Sequence, residues 1–280
     1  MEKPMDIEEK VAELDTLARA KMMEGYENAM ETVAGLFTTI STALVDGERV
    51  PDMDTGHYVD TPKTQEWGIT ISAEKETISP GRKEKFLKSC NECGWKIGYN
   101  KAKRILATVL GLTRTFTLDG VTYDTYQPSI NEFAGRPLEG IDSLRKALEI
   151  LEDKGSFLKQ IFVLPARLFY ARRILQSVRP YLAGLPNDAL TSPIAYQLLV
   201  HGSDTFAPDF KPLPPSDVNE MWFAGDFQEA FCYMETQPVT VTHIKMDEKE
   251  CEQGIVGRWK ISERGVPAVM NPLKACRFRK

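Results

Sequence analysis

The sequence predicts a mainly α-helical protein with a two-lobed helical core, small β hairpins and a terminal helical arm. Apolar residues recur at spacings of three and four over residues 1–45, 141–151 and 164–178, which places them on one side of helices. The alternation typical of half-buried strands is confined to short stretches such as 115–123. At 280 residues, 42% of them hydrophobic, the chain is long enough to bury a core and could form one large domain or two smaller lobes.

These patterns divide the chain into four predicted parts. We expect a helical arm over residues 1–45, an N-terminal lobe over 46–155, a C-terminal helical lobe over 156–235, and a β hairpin with a basic tail over 236–280.

The predicted helical segment over residues 1–45 carries its apolar residues on one face, here called the N-terminal stripe, and acidic residues on its other faces. The stripe ends in Val33, Phe37 and Ile40, followed by Leu44, and Gly25 is a candidate break between two helices. One interpretation is a pair of helices packed on their own core. The other is an arm that docks on a neighbouring subunit, and it makes Val33, Phe37 and Ile40 the candidate oligomerisation residues.

The elements after the arm follow from local signals. Residues 46–64 are rich in acidic and turn-forming residues and predict a loop, and Trp67, Ile69 and Ile71 predict a short strand. Pro80-Gly81 predicts a turn before a helix over 84–93, and Asn100 is a candidate N-cap for the next helix. Asp119-Gly120 predicts a two-residue hairpin turn within 115–123.

A concentrated basic band lies between Gly81 and Arg114. It carries nine basic residues against two acidic ones, a net charge of +7 in a protein whose net charge is −5. Such a band indicates an anionic partner or an acidic surface of another copy. Its candidate RNA-binding residues are Arg82, Lys83, Lys85, Lys88, Lys96, Lys101, Lys103 and Arg104.

A second basic element spans residues 156–185, which hold no acidic residue. The apolar spacing predicts a helix after Pro165 whose exposed faces carry cations. Its candidate RNA-binding residues are Arg167, Arg172, Arg173 and Arg179. Aromatic residues interleave with both basic elements, and a groove for single-stranded RNA needs both cations and stacking faces. The alternative is that both elements are solvated helix faces.

The C-terminal region contains a predicted helix followed by predicted strands. Ser216 or Asp217 is a candidate cap for a helix carrying Met221, Trp222, Phe227, Phe231 and Met234. The stretches PVTVTHIKM and IVGRWKI alternate like paired strands, and a short basic tail ends the sequence.

No catalytic, metal or cofactor site is predicted. Cys90 and Cys93 have the spacing of half a zinc site, but no second pair follows at similar spacing. The acidic loop over 52–60 lacks the full calcium-loop pattern, and a nuclease-like set at Asp209 and 247–249 is the third-ranked interpretation. Five irregularly spaced cysteines and the lack of a membrane-length apolar run predict a cytoplasmic protein.

One stretch resembles hantavirus-type nucleoproteins of segmented negative-strand RNA viruses. The likeness rests on Ile78-Ser-Pro-Gly-Arg82, on Cys93-Gly94, and on Lys101-Ala-Lys-Arg104 running into an apolar helix. The resemblance implies a mainly helical protein that encloses viral RNA between two lobes and polymerises through terminal arms. A viral polymerase is a further partner that it implies.

Together these observations predict a non-enzymatic nucleoprotein. It would bind single-stranded RNA without sequence preference and self-associate through its N-terminal arm. The alternative is a matrix or scaffold protein whose basic band meets an acidic partner or a membrane surface.

Overall fold

The computed structural model describes residues 4–41, 49–51, 58–60, 64–112, 116–118, 121–201, 213–244 and 254–280. The chain forms two compact units. The first comprises Met1–Glu31, Thr64–Ala102 and Thr236–Gly265, and the second comprises Thr32–Lys63, Lys103–Glu235 and Val266–Lys280.

Seven α-helices lie in the described part of the chain. In chain order they are α1 (Pro4–Met30), α2 (Pro80–Val109), α3 (Ile141–Glu152), α4 (Leu168–Val178), α5 (Pro193–His201), α6 (Pro215–Asn219) and α7 (Phe227–Ala230). Short 3₁₀ turns cover Glu31–Val33, Lys75–Ile78, Pro165–Arg167 and Pro272–Lys274.

The described strands form two larger sheets and two isolated hairpin pairs. They are β1 (Thr38–Ser41), β2 (Arg49–Pro51), β3 (Tyr58–Asp60), β4 (Gln65–Glu74), β5 (Phe116–Leu118), β6 (Val121–Tyr123), β7 (Glu132–Phe133), β8 (Gln160–Val163), β9 (Ala189–Leu190), β10 (Trp222–Gly225), β11 (Phe231–Ile244), β12 (Ile255–Val269) and β13 (Ala275–Phe278). One sheet has the order β1-β11-β12-β4 and the other β7-β13-β10-β8-β9, while β2 pairs with β3 and β5 with β6.

The core of the first unit lies between two long helices and antiparallel strands. β4 pairs antiparallel with β12 from Gln65 opposite Gly265 to Glu74 opposite Ile255. The buried apolar residues of α1 and α2 pack against this pair of strands, and the ring of Phe86 lies 5.4 Å from that of Trp259. Burial of this apolar area is the main force holding the unit together.

The core of the second unit is built around β10, whose four residues are all buried. β10 runs antiparallel to both β13 and β8, and it places Trp222 opposite Phe278 on one side and Val163 on the other. The buried faces of α3 and α4 cover one side of this sheet. On the other side, Phe223 packs against Tyr126 and Phe162.

Several predicted elements are confirmed. The helix over 141–151 is α3, and Gly155 after it has a positive φ of 65°. The helix after Pro165 is α4, and the strand through Trp67 and Ile71 lies within β4. β5 and β6 pair as predicted, while the turn at 119–120 lies outside the described residues.

The prediction of a mainly α-helical protein is wrong, because the described strands form two mixed sheets of four and five strands. The N-terminal stripe does not continue as helix beyond Met30, since Ile40 pairs with Met234 in a parallel pair of strands. Asn100 caps no helix, because it lies inside the continuous helix α2. The helix predicted over 221–234 is replaced mainly by β10 and β11.

Candidate functional site

The cations in the first half of α2 are exposed apart from the half-buried Lys83, and two of them contact acidic side chains outside this helix. The ammonium of Lys83 lies 2.7 Å from the carboxylate of Glu13 on α1, and Arg82 pairs with Glu76. Lys85, Lys88 and Lys96 are exposed as well. The positive charge counted along the band is therefore offset in part by carboxylates of the same unit.

Two cations near the end of α2 are buried rather than presented to a ligand. Lys101 is 3% exposed and lies 5.7 Å from the ring centroid of Tyr26. Arg104 is 7% exposed, and its guanidinium donates a hydrogen bond of 3.1 Å to the hydroxyl of Tyr233. Lys103, between them in sequence, is half-buried and has interactions of its own. Buried cations held by aromatic rings serve the packing of the fold.

The arginines of the second basic element also have partners in their own unit. Arg167 donates to the carbonyl of Asn219 and pairs with Glu220. The guanidinium of Arg172 donates two hydrogen bonds to Asp188, at 2.7 and 2.8 Å. This contact lowers the pKa of the Asp188 carboxyl and raises the pKa of Arg172.

The other two arginines of the second basic element, Arg179 and Arg173, differ in their contacts. Arg179 donates to the side-chain oxygen of Asn187 at 2.7 Å. Arg173 is exposed on α4, and it makes no ion pair with any residue in the described ranges. The carboxylates that pair with the second basic element, those of Asp188 and Glu220, lie after residue 185 in the sequence. A count of charged residues within 156–185 therefore does not include them.

Exposed aromatic side chains lie near the start of α4 and just beyond its end. Phe169 is 79% exposed and Tyr181, just beyond the helix, is 75% exposed. Phe157, in the loop after α3, is 68% exposed. All three are among the aromatic residues that interleave with the second basic element in the sequence. The signal for the exposure of Phe169 is its helical position, which lies off the buried stripe of Ala171 and Leu175.

Helix α1 has two opposite faces. Leu14, Ala18 and Met22 are fully buried in the core of the first unit. Glu9, Glu13, Glu24, Glu27 and, in the following 3₁₀ turn, Glu31 are exposed. With 100° between successive residues, the four glutamates within the helix fall inside an arc of about 60°. Sequence reasoning noted the acidic residues but not that they form one stripe.

The three predicted oligomerisation residues lie beyond α1, in the second unit. Val33 is fully buried, while Phe37 and Ile40 are partly buried. Ile40 packs against the cluster of Cys232, Met234 and Ala268. Their role in an oligomer stays a prediction.

A polar network joins α1 to β12 and β11. The indole N–H of Trp259 donates to the Asp15 carboxylate at 2.6 Å, and Arg19 donates to both oxygens of the same carboxylate at 2.9 Å. Although desolvation acts to raise it, these hydrogen bonds hold the pKa of Asp15 below its ordinary value. His243 stacks on Trp259 at 5.0 Å between ring centroids. The network fixes the position of Trp259 against α1.

Three of the cysteines that the structure describes have the properties of buried structural thiols. Burial raises the pKa of Cys90, Cys232 and Cys276 to about 12, and it also raises the pKa of Cys93. Within the ranges that the structure describes, no three metal-ligating side chains gather into a possible metal site. The residues of the nuclease-like set, and the acidic loop up to His57, lie outside those ranges.

Two clefts of the second unit lack the features of an active site. A cleft of about 370 Å³ is lined by Pro165, Ala166, Pro193, Tyr196, Gln197 and Asn219. A second, of about 260 Å³, is lined by residues from Gly135 to Lys146 together with Phe278. The larger one holds no acid–base pair, and in the smaller one the Ser143 hydroxyl is engaged with the backbone of Pro137 and Glu139. No helix in the described part of the chain is long and apolar enough to cross a membrane.

Comparison with solved structures identifies similar folds over nearly the whole chain. The virus-like particle from Pyrococcus furiosus is 9% identical with a TM-score of 0.53, covering 93% of this chain and 97% of that one. The capsid of the native GTA particle is 11% identical with a TM-score of 0.53, covering 89% and 90%. The capsid of cyanophage P-SCSP1u is 11% identical with a TM-score of 0.51, covering 87% and 86%. A comparison with protein-family models found no match, and neither did one with curated protein sequences.

These neighbours correct the resemblance to hantavirus-type nucleoproteins and the function inferred from it, a sequence-independent RNA-binding nucleoprotein. The residues that carried the resemblance have structural roles. The stretch at 78–82 begins α2, and Gly94 lies where α2 crosses α1, so close that a Cβ would overlap the carbonyl oxygen of Met22. The chain shares the overall fold of these three structures.

Proposed function

We propose that this chain is the subunit of a self-assembling protein shell. The observation that carries the proposal is the match to three shell proteins, which extends over 87–93% of this chain and 86–97% of theirs. A match over whole chains includes both compact units, so it does not rest on one common supersecondary motif.

The surface of the second unit supports the proposal. Phe157, Phe169 and Tyr181 each expose more than two thirds of their area. Aromatic side chains are enriched where protein surfaces meet, because they bury a large area at a small cost in side-chain entropy. Exposed aromatics on a folded surface are what a subunit needs to contact its neighbours.

The role we propose is structural rather than enzymatic. The described clefts carry no set of nucleophile, base and oxyanion donors, and the described cysteines other than Cys93 have pKa values raised to about 12. The N-terminal arm belongs to this proposal as a candidate contact between copies, although the apolar face of α1 is used within its own unit.

Electron microscopy of the purified full-length protein tests the proposal. We expect closed, hollow particles of uniform diameter, formed without any other protein. The sample is first treated with nuclease, so that particles cannot be held together by nucleic acid. Monomers or irregular aggregates at every protein concentration would overturn the proposal.

A further inference from the structure

The outer face of α4 is basic and aromatic and is not covered by its own unit. Phe169, Arg173 and Gln176 share one side of the helix. Phe169 is 79% exposed. Arg173 forms no ion pair within the described ranges, so this face offers a cation one helical turn away from an exposed aromatic ring.

The exposed stripe of α1 has the opposite charge. It extends about 27 Å from Glu9 to Glu27 at 1.5 Å per residue. Two of its glutamates are paired within the unit, Glu13 with Lys83 at 2.7 Å and Glu24 with Lys21 at 2.6 Å. Among the described residues neither Glu9 nor Glu27 has an ion-pair partner. Both ends of the stripe therefore keep a free carboxylate.

We propose that the outer face of α4 in one copy docks on the acidic stripe of α1 in a neighbouring copy. Arg173 would pair with the stripe carboxylates, and Phe169 would pack beside the aliphatic parts of the glutamate side chains. The occupant is a second copy because the complementary surface lies on this same chain. The inference rests on the proposed shell function and names the surfaces that meet.

The contact is heterologous, because it joins two different surfaces of the same subunit. Contacts of this kind close into rings when the rotation between neighbours is a fraction of a full turn. A closed shell needs at least one such contact repeated around each ring. The two faces satisfy this requirement with charges of opposite sign, which also disfavours pairing of α4 with α4 or α1 with α1.

Charge reversal at both surfaces tests the contact in the full-length protein. Analytical ultracentrifugation gives the concentration at which half of the protein is in particles. Arg173→Glu should raise this concentration about tenfold or more, because it places like charges together at every copy of the contact. The double variant Glu9→Lys/Glu27→Lys should weaken assembly similarly. Combining all three substitutions should bring the value back to within about threefold of the parent.

Arg145→Glu is the matched control. Arg145 is also an exposed arginine on a helix of the second unit, with 53% of its side chain exposed, and its reversal changes the net charge equally. It should leave assembly within about twofold of the parent. Circular dichroism melting curves should be unchanged for Arg173→Glu, since the side chain is exposed. Molar salt should narrow the difference between the parent and Arg173→Glu by screening the repulsion.

The outcomes separate the two proposals. If the parent assembles and Arg173→Glu assembles as well as Arg145→Glu, the α4–α1 contact is wrong and the shell function stands. The contact is also wrong if the triple variant assembles as poorly as Arg173→Glu alone. A parent that stays monomeric at every concentration overturns the shell function and this contact with it.

Discussion

Gly94 of α2 lies directly against the backbone of Met22 in α1, leaving no space for a side chain between the two helices. The same crossing brings Gly25 of α1 against the backbone of Asn91 in α2, and Gly98 against Tyr26 and Ala29. Three glycines on the facing sides of two helices allow the backbones to touch. This close approach determines how α1 covers the core of the first unit.

We expect Gly94→Ala to lower the free energy of unfolding by about 3 kcal/mol, because the added methyl group must force the two backbones apart. Gly81→Ala is the matched control on the same helix, where an added Cβ meets nothing within 4 Å. It should be neutral or stabilise by about 0.5–1 kcal/mol through helix propensity. Urea denaturation followed by circular dichroism measures both. Equal stability of the two variants would show that the helices do not cross in this way.

Arg104 should matter for stability rather than for binding an anion. Arg104→Ala removes a buried guanidinium that donates to the Tyr233 hydroxyl and lies 5.6 Å from its ring centroid. We expect the free energy of unfolding to fall by about 2–3 kcal/mol.

Lys85→Ala, an exposed residue of the same helix, is the control and should change the free energy of unfolding by less than about 0.5 kcal/mol. Thermal melting of both variants measures the difference. An Arg104→Ala variant as stable as Lys85→Ala would contradict the structural role of this cation.

The Asp15 carboxylate should make part of the stability depend on pH. Its pKa is lowered in the folded protein by the hydrogen bonds from Arg19 and Trp259, which outweigh the opposing effect of burial. Stability from this group is therefore present above the unfolded-state pKa of about 4 and is lost as the pH falls through the folded-state value.

Asp15→Asn keeps an oxygen to accept from Trp259 but removes the charge. We expect it to cost about 1 kcal/mol at pH 7, since Asp15 and Arg19 are partly exposed to water. The difference from the parent should shrink as the pH is lowered below about 4. Urea denaturation between pH 3 and pH 7 measures it, and a difference that stays constant over this range would contradict the assigned network.

Elements fixed by local signals could be predicted from the sequence. The helix α3 has buried Leu144, Ala147 and Leu151 on one stripe, and a glycine with positive φ ends the segment. The alternation of Trp67, Ile69 and Ile71 placed β4 correctly. In each case the residues that decide the structure lie within about fifteen positions of one another.

Elements fixed by distant partners could not be predicted. Ile40 continues the helical spacing of the N-terminal stripe, yet it forms a strand because Met234, far along the chain, supplies the backbone partner. Trp222 has the spacing of a helix residue but lies between Phe278 and Val163 in a sheet. Backbone pairing across such separations leaves no local trace, and tertiary context overrides propensity.

In the candidate site, too, local features could be predicted from the sequence and contacts between distant residues could not. The basic band was visible in the sequence, but Glu13, which neutralises Lys83, is 70 residues away from it. The burial of Lys101 and Arg104 depends on the aromatic rings of Tyr26 and Tyr233, which are also remote in sequence. A count of charges along the chain therefore overstated the cationic surface and favoured a nucleic-acid partner.

The particle mass of the nuclease-treated, full-length protein tests the central claim most directly. Mass photometry on a dilution series should give a narrow species at a large integer multiple of the 31.6 kDa subunit. Below a threshold protein concentration, free subunits should be the sole species, because closure of a shell is cooperative. A 31.6 kDa species alone at every concentration, or a continuous range of masses with no preferred multiple, would contradict the account.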